Sequence, residues 1–172
     1  MSDEQSPLLE VRGFSWWAAN AGIKDQSLDF GVIAASRPCA AAAVFTRSNF
    51  PAAPVMLGRE RLRSGRLQAV VVNSKNANAA TGEAGLADAR RTAQVLGAAL
   101  GIDPALVLPS STGVIGVRLP MDKIEAACRK APQGLSPSAE AIAQFARAIM
   151  TTDTRRKAVS VKASGATLTG IA

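Results

Sequence analysis

Apolar positions along the chain change their spacing several times, and the changes outline a mixed α/β domain. Short runs rich in Val, Ile, Phe and Ala at 30–36, 41–46, 54–57 and 68–73, separated by Pro, Gly and Asn, predict strands in succession. Val70, Val71 and Val72 are apolar without alternation, which predicts a strand covered on both faces. Leu86, Ala89, Ala93, Leu96 and Leu100 recur at spacings of three and four and predict an amphipathic helix packed on a sheet, stopped by Gly101. Pro120, Asp122, Ile124, Ala127 and Cys128 mark a second, short helix, with Pro at its first turn and an acid near its positive end. The stretch 132–137, rich in Pro, Gly and Ser, breaks that pattern. Ser136 and Pro137 then read as cap and first turn of a third helix whose apolar face is Ile142, Phe145 and Ile149. Val159, Val161 and Ala163 alternate with polar residues, and Leu168 and Ile171 belong to a further apolar segment, so the end of the chain predicts a hairpin turning at Ser164 and Gly165. Residues 1–12 read as a mobile tail, leaving 13–172 as the folded part.

Composition narrows the class of function. A chain of 172 residues with 48% hydrophobic content can build one substantial core. No stretch approaches the roughly 18 uninterrupted apolar residues of a membrane span, and residues 1–10 are polar and acidic, unlike a secretory signal. The expectation is a soluble cytoplasmic protein with no membrane association. Two cysteines without a CxxC do not make a disulfide scaffold. The absence of histidine removes the usual general base of serine and cysteine hydrolases and the commonest metal ligand, so any base must be of another kind. A formal net charge of +7 brings nucleic acid into consideration, but with no Tyr, two Trp and five Phe there are few stacking platforms. A solvated basic face, or a surface for an acidic partner chain, fits better, and no nucleic-acid partner is expected.

The segment 106–116, Leu-Val-Leu-Pro-Ser-Ser-Thr-Gly-Val-Ile-Gly, holds the most suggestive chemistry. An apolar run stops at hydroxyl residues and the Thr112–Gly113 pair. Gly113 lets the backbone turn with little steric cost, and N–H groups in such a turn, joined by the Thr112 hydroxyl, can converge on an anion. Such clusters after strands are also ordinary turns. Thr151, Thr152 and Asp153 after the third helix can satisfy backbone groups at a helix end. The Asn-rich stretch 73–82 reads equally as a tightly packed loop and as the lining of a cleft, with Lys75 as either a solvated lysine or a contact for a substrate carboxylate. Trp16 and Trp17 receive no function, and neither a P-loop nor a GxGxxG fingerprint is present.

Several motifs in order resemble the ornithine acetyltransferase family, also called glutamate N-acetyltransferase. They are Gly13-Phe14, Gly22-Ile-Lys24, Ala43-Val-Phe-Thr46, the stretch 70–82 (Val-Val-Val-Asn-Ser-Lys-Asn-Ala-Asn-Ala-Ala-Thr-Gly), the Thr112–Gly113 segment, and 148–154 (Ala-Ile-Met-Thr-Thr-Asp-Thr). The resemblance runs from about Gly13 to Ala172, with Lys75 standing where the family commonly has Gly and Arg156 where it has Pro. It implies a layered sandwich with sheets inside and helices outside, completed by a β-chain from the same precursor. The precursor of such enzymes cleaves itself before a threonine, which becomes the N-terminal nucleophile of that β-chain, its α-amino group serving as base. On this reading the chain is an α-chain, shortened or incompletely represented before the cleavage site, and joins an oligomer of αβ units. The substrates implied are N-acetylornithine and glutamate, with no cofactor and no metal. By resemblance, Thr112 and Gly113 form the oxyanion hole and Thr151 contacts the substrate amino acid, while Asp153 is structural. A related self-cleaving amidase or aminopeptidase, with water as acceptor, would place the same demand on Thr112 and Gly113.

Overall fold

The computed structural model describes residues 7–172. Strands Phe14–Ala19 (β1), Phe30–Ala40 (β2), Arg66–Asn73 (β3) and Val107–Ser111 (β4) form one sheet in the order β1-β2-β3-β4. The first two pairings are antiparallel and the last, β3 with β4, is parallel. Helices Ala53–Arg61 (α1), Gly82–Leu100 (α2), Met121–Gly134 (α3) and Ala139–Ala148 (α4) surround it, and strands Ala158–Ala163 (β5) and Ala166–Ile171 (β6) form a separate hairpin.

The pleat assigns the two faces of the sheet. Val32 pairs with Val71, and with Phe30 and Val107 they join Ala93 and Leu96 of α2 and Ile124, Ala127 and Cys128 of α3 in the main core. Fully burying one such side chain is worth about 1.5–3 kcal/mol. On the opposite face, Trp16, Ile142 and Phe145 form a second cluster, on which Ile33, Val72, Ile149 and Ile171 pack. Gly31 permits this approach, because a Cβ there would meet the Phe145 ring at 2.7 Å. The layers are therefore α2 and α3, the four-stranded sheet, and then α4 with the β5–β6 hairpin.

Local signals account for the element ends that the sequence foretold. Gly101 caps α2 at φ 68°, and Ser164 and Gly165 turn the hairpin at φ 49° and 79°, the positive pair a tight two-residue hairpin requires. Other expectations are corrected. Residues 54–57 are not a strand but part of α1, whose buried Ala53, Pro54, Leu57 and Gly58 follow helical spacing after a Pro in the first turn. Residues 41–46 form no regular element, because no neighbouring strand pairs with them; Val44 is 99% exposed while the Phe45 ring lies against Gly58. Helix α3 runs on through Pro132, and the cap of α4 is Ser138 rather than Ser136, its Oγ accepting from the Ala141 N–H at 3.2 Å. Ser136 instead bridges to Trp16. The second face of β3 is covered only in part: Val71 is buried, whereas Val72, packed on the second cluster, and Val70 are half-buried and line a cleft. Of the expected tail, residues 1–6 lie outside the described residues, and Leu8 and Val11 pack on the second core cluster.

Candidate active site

The parallel strands β3 and β4 end side by side, with Asn73 opposite Ser111, and the loops leaving them are interlaced. The Thr112 N–H donates to the Asn73 carbonyl at 3.0 Å, Val114 N–H to Lys75 at 2.7 Å, Ala77 N–H to Val114 at 2.9 Å and Gly116 N–H to Ala79 at 2.8 Å. Side chains reinforce the ladder. Ser111 Oγ donates to Asn73 Oδ1 at 2.6 Å, Asn73 Nδ2 to the Asn76 carbonyl at 2.9 Å, and Asn76 Nδ2 to the Arg118 carbonyl at 3.1 Å. The Arg118 guanidinium then grips buried Asp88 of α2 through two bonds of 2.7 and 2.8 Å, a fork that fixes orientation as well as distance. The Asn-rich stretch is thus both packed loop and scaffold for the Thr112–Gly113 turn.

Thr112 is half-buried and lines a cleft of about 540 Å³ on the open face of the sheet. Trp16, Ile33, Val70 and Val72 form its floor, Phe145 of α4 and Ile149 just after it one wall, and Thr169 and Ile171 of β6 another. Among the described residues, neither the Thr112 hydroxyl nor the Gly113 N–H has a hydrogen-bond partner. Two donors at a strand end beside an apolar cleft can stabilise negative charge developing on a carbonyl oxygen.

The other candidates are distributed unevenly. Thr151 is exposed and does not line the cleft, although Ile149, two residues earlier, does. Asp153 pairs with Lys157 at 2.5 Å on the surface, a contact worth little in water. Lys75 is exposed, at φ 83°, immediately beside Gly113. Trp16, given no role from sequence, is buried and lines the cleft, while Trp17 packs edge-on against Phe30. Sequence reasoning also missed Lys24, Asp29 and Ser74. Lys24 was visible only as part of a motif, and its partners lie far away in the chain. Its Nζ donates to the Met150 carbonyl at 2.7 Å, and burial holds its pKa below the ordinary value, with the Asp29 carboxylate acting in the opposite direction and the Lys75 ammonium in the same one. Among the described residues, no group of three or more His, Cys, Asp or Glu could hold a metal ion, and no helix is long and apolar enough to cross a membrane.

The same framework occurs in proteins already solved. The ornithine acetyltransferase of Mycobacterium tuberculosis, crystallised with ornithine, matches with a TM-score of 0.92 at 38% identity over 97% of this chain and 91% of that one. The arginine biosynthesis bifunctional protein ArgJ of Bacillus halodurans matches with a TM-score of 0.88 at 37% identity, covering 94% of this chain and 86% of that one. In sequence, the chain is 49% identical over 162 residues to the arginine biosynthesis bifunctional protein ArgJ of Symbiobacterium thermophilum, covering 91% of this chain and 40% of that protein. With the protein of the same name from Syntrophotalea carbinolica it shares 44% identity over 169 residues, covering 96% of this chain and 42% of that protein. The chain therefore spans less than half the length of these curated relatives. Because the pattern of the ArgJ family matches residues 15–172 and the fold matches as well, the chain belongs to the ArgJ family.

Proposed function

We propose that this chain is the α-chain portion of a cytoplasmic acetyltransferase that moves an acetyl group from N-acetylornithine to glutamate. The nucleophile is a threonine at the start of a β-chain cut from the same precursor, and αβ units assemble into an oligomer. The observation that carries this reading is the position of Thr112 and Gly113. Thr112 lines the cleft directly after the end of β4, and Gly113, exposed, follows it with its N–H free of a partner among the described residues. The relatives, arginine biosynthesis bifunctional proteins and an ornithine acetyltransferase, support the same chemistry.

The threonine hydroxyl adds to the acetyl carbonyl carbon, its proton passing to the threonine's own α-amino group. The carbonyl oxygen becomes an oxyanion that accepts hydrogen bonds from the Thr112 hydroxyl and the Gly113 N–H. These bonds strengthen as charge develops, so they favour the transition state over the substrate. Collapse breaks the C–N bond, ornithine leaves with the proton, and an acetyl-threonine ester remains. The amine of glutamate then attacks the ester, giving N-acetylglutamate and the free threonine, and the sum balances without a cofactor. Thr151, just beyond the α4 wall of the cleft, contacts the amino-acid part of the substrate.

Initial rates of the complete enzyme test this. Double-reciprocal plots for N-acetylornithine at several glutamate concentrations are expected to be parallel, with label from the acetyl group recovered in N-acetylglutamate. Release of free acetate with no acetylglutamate would replace the reading with an amidase.

A further inference from the structure

Helix α4 ends at Ala148, and the carbonyls around its last turn need partners from elsewhere in the chain. Two residues remote in sequence supply them. Ser74 Oγ, fully buried, donates to the Ala148 carbonyl at 2.7 Å. Lys24 Nζ donates to the Met150 carbonyl at 2.7 Å and to the Leu28 carbonyl at 3.3 Å. An ammonium suits the place, because it can serve two carbonyls and sits at the negative end of the helix.

Both residues are themselves anchored. The carboxylate of Asp29, fully buried, accepts from the Ala21, Ile23 and Lys24 N–H groups at 2.7 Å each, which fixes the turn from which the Lys24 side chain departs. The Asp29 carbonyl accepts the Ser74 N–H at 2.8 Å. Ser74 directly follows Asn73, whose carbonyl holds the Thr112 N–H, and Met150 directly precedes Thr151. A continuous set of short bonds thus joins the Thr112–Gly113 turn to the exit of α4.

We propose that Lys24 and Ser74 are positioning residues for the acetyl-transfer reaction: they clasp the C-terminal end of α4 and so set where Thr151 stands relative to the Thr112–Gly113 turn. The inference rests on the reading of Thr112 and Thr151 given above. Neither Lys24 nor Ser74 lines the cleft. Each acts through Thr151, and a clasp lost on either side lets the 149–151 segment move away from the cleft.

The test uses the complete matured enzyme with Lys24→Met, Lys24→Arg, Ser74→Ala, Thr151→Ala and the Lys24→Met/Thr151→Ala pair. Lys24→Met keeps the apolar stem and removes the donors. It is expected to raise KM for N-acetylornithine about tenfold while kcat changes less than about threefold, because contact with the bound amino acid is lost and the oxyanion donors are kept. Lys24→Arg, which retains a cation with several donors, should recover most of that loss. In the Thr151→Ala background Lys24→Met should add less than about twofold, since residues acting through one contact are not additive. Multiplicative effects in the double variant, or a lowered melting temperature with unchanged KM, would overturn the proposal and leave Lys24 as a stabilising residue only. If Thr151→Ala alone leaves KM unchanged, the substrate role of Thr151 fails, and this inference with it. Should Lys24→Met not mature, Ser74→Ala decides: a rise in KM that vanishes in the Thr151→Ala background supports the clasp, and its absence rejects it.

Discussion

A Cβ placed on Gly113 would lie 2.2 Å from both the carbonyl carbon and the carbonyl oxygen of Lys75. The Lys75 backbone is itself pinned, because its carbonyl accepts the Val114 N–H at 2.7 Å. Gly113 also sits at φ 130°, where L side chains rarely go. Gly113→Ala must therefore push the 112–114 turn and the 73–76 loop apart. The expected outcome is a loss of at least about 100-fold in kcat, with the melting temperature of the complete enzyme falling by a few degrees, since the displaced N–H no longer points at the developing charge. A variant with wild-type kcat would show that this N–H does no work in the reaction.

Lys75 offers the opposite change. It holds φ 83° without being glycine, a conformation that costs on the order of 1 kcal/mol for an L residue. Lys75→Gly should raise the melting temperature by roughly 2–4 °C, the shift expected for about 1 kcal/mol in a chain of this size. Lys75→Ala removes the same charge but keeps the Cβ, so it separates backbone relief from electrostatics. Equal gains in the two variants would place the benefit in loss of the ammonium that faces Lys24 rather than in the backbone.

Features governed by neighbours in sequence were legible, and features governed by distant ones were not. Gly101 and the Ser164–Gly165 turn could be read because left-handed backbone is a local demand that few residues meet. The Thr112–Gly113 turn was legible for the same reason. Residues 54–57 misled, since a short apolar run suits strand and buried helix alike and only the spacing of Ala53, Pro54, Leu57 and Gly58 separates them. Residues 41–46 had strand-like composition, but a strand exists only where another pairs with it, and β1 occupies the free side of β2. The strand expected at 30–36 runs on to Ala40, because a register shift between Ala34 and Cys39 accommodates Pro38. The Lys24 to Met150 bond spans 126 residues, and nothing in either local sequence announces it.

The two cysteines should differ sharply in reactivity. Cys128 is fully buried between α3 and α2, and burial pushes its pKa up to about 12, helped by the Glu125 carboxylate and opposed by Arg129. At about pH 8 only about one such thiol in ten thousand is ionised, and the thiolate is the reactive form. Cys39 is half-buried at the end of β2. Brief treatment of the native enzyme with a thiol reagent should therefore label the peptide containing Cys39 and spare that containing Cys128, whereas treatment in strong denaturant should label both. Equal native labelling would mean that α3 opens readily from the sheet.

The oxyanion assignment itself turns on Thr112. Its N–H is held by the Asn73 carbonyl at 3.0 Å, so backbone position does not depend on the hydroxyl, and removing the hydroxyl tests the donor rather than the turn. Thr112→Ala should lower kcat on the order of 100- to 1000-fold, equivalent to roughly 3 kcal/mol of transition-state stabilisation, with KM for N-acetylornithine little changed. Thr112→Ser keeps the donor and should retain much more activity. A threonine that serves only the turn would instead lower stability in both variants while leaving kcat per folded enzyme nearly intact. The proposed self-cleavage of a precursor would also pass through a tetrahedral intermediate, so slow maturation would mimic a catalytic loss, and both matured chains must be quantified before rates are compared. If fully matured, folded Thr112→Ala turns over within about threefold of wild type, a difference of only roughly 0.7 kcal/mol, the hydroxyl does not stabilise the oxyanion.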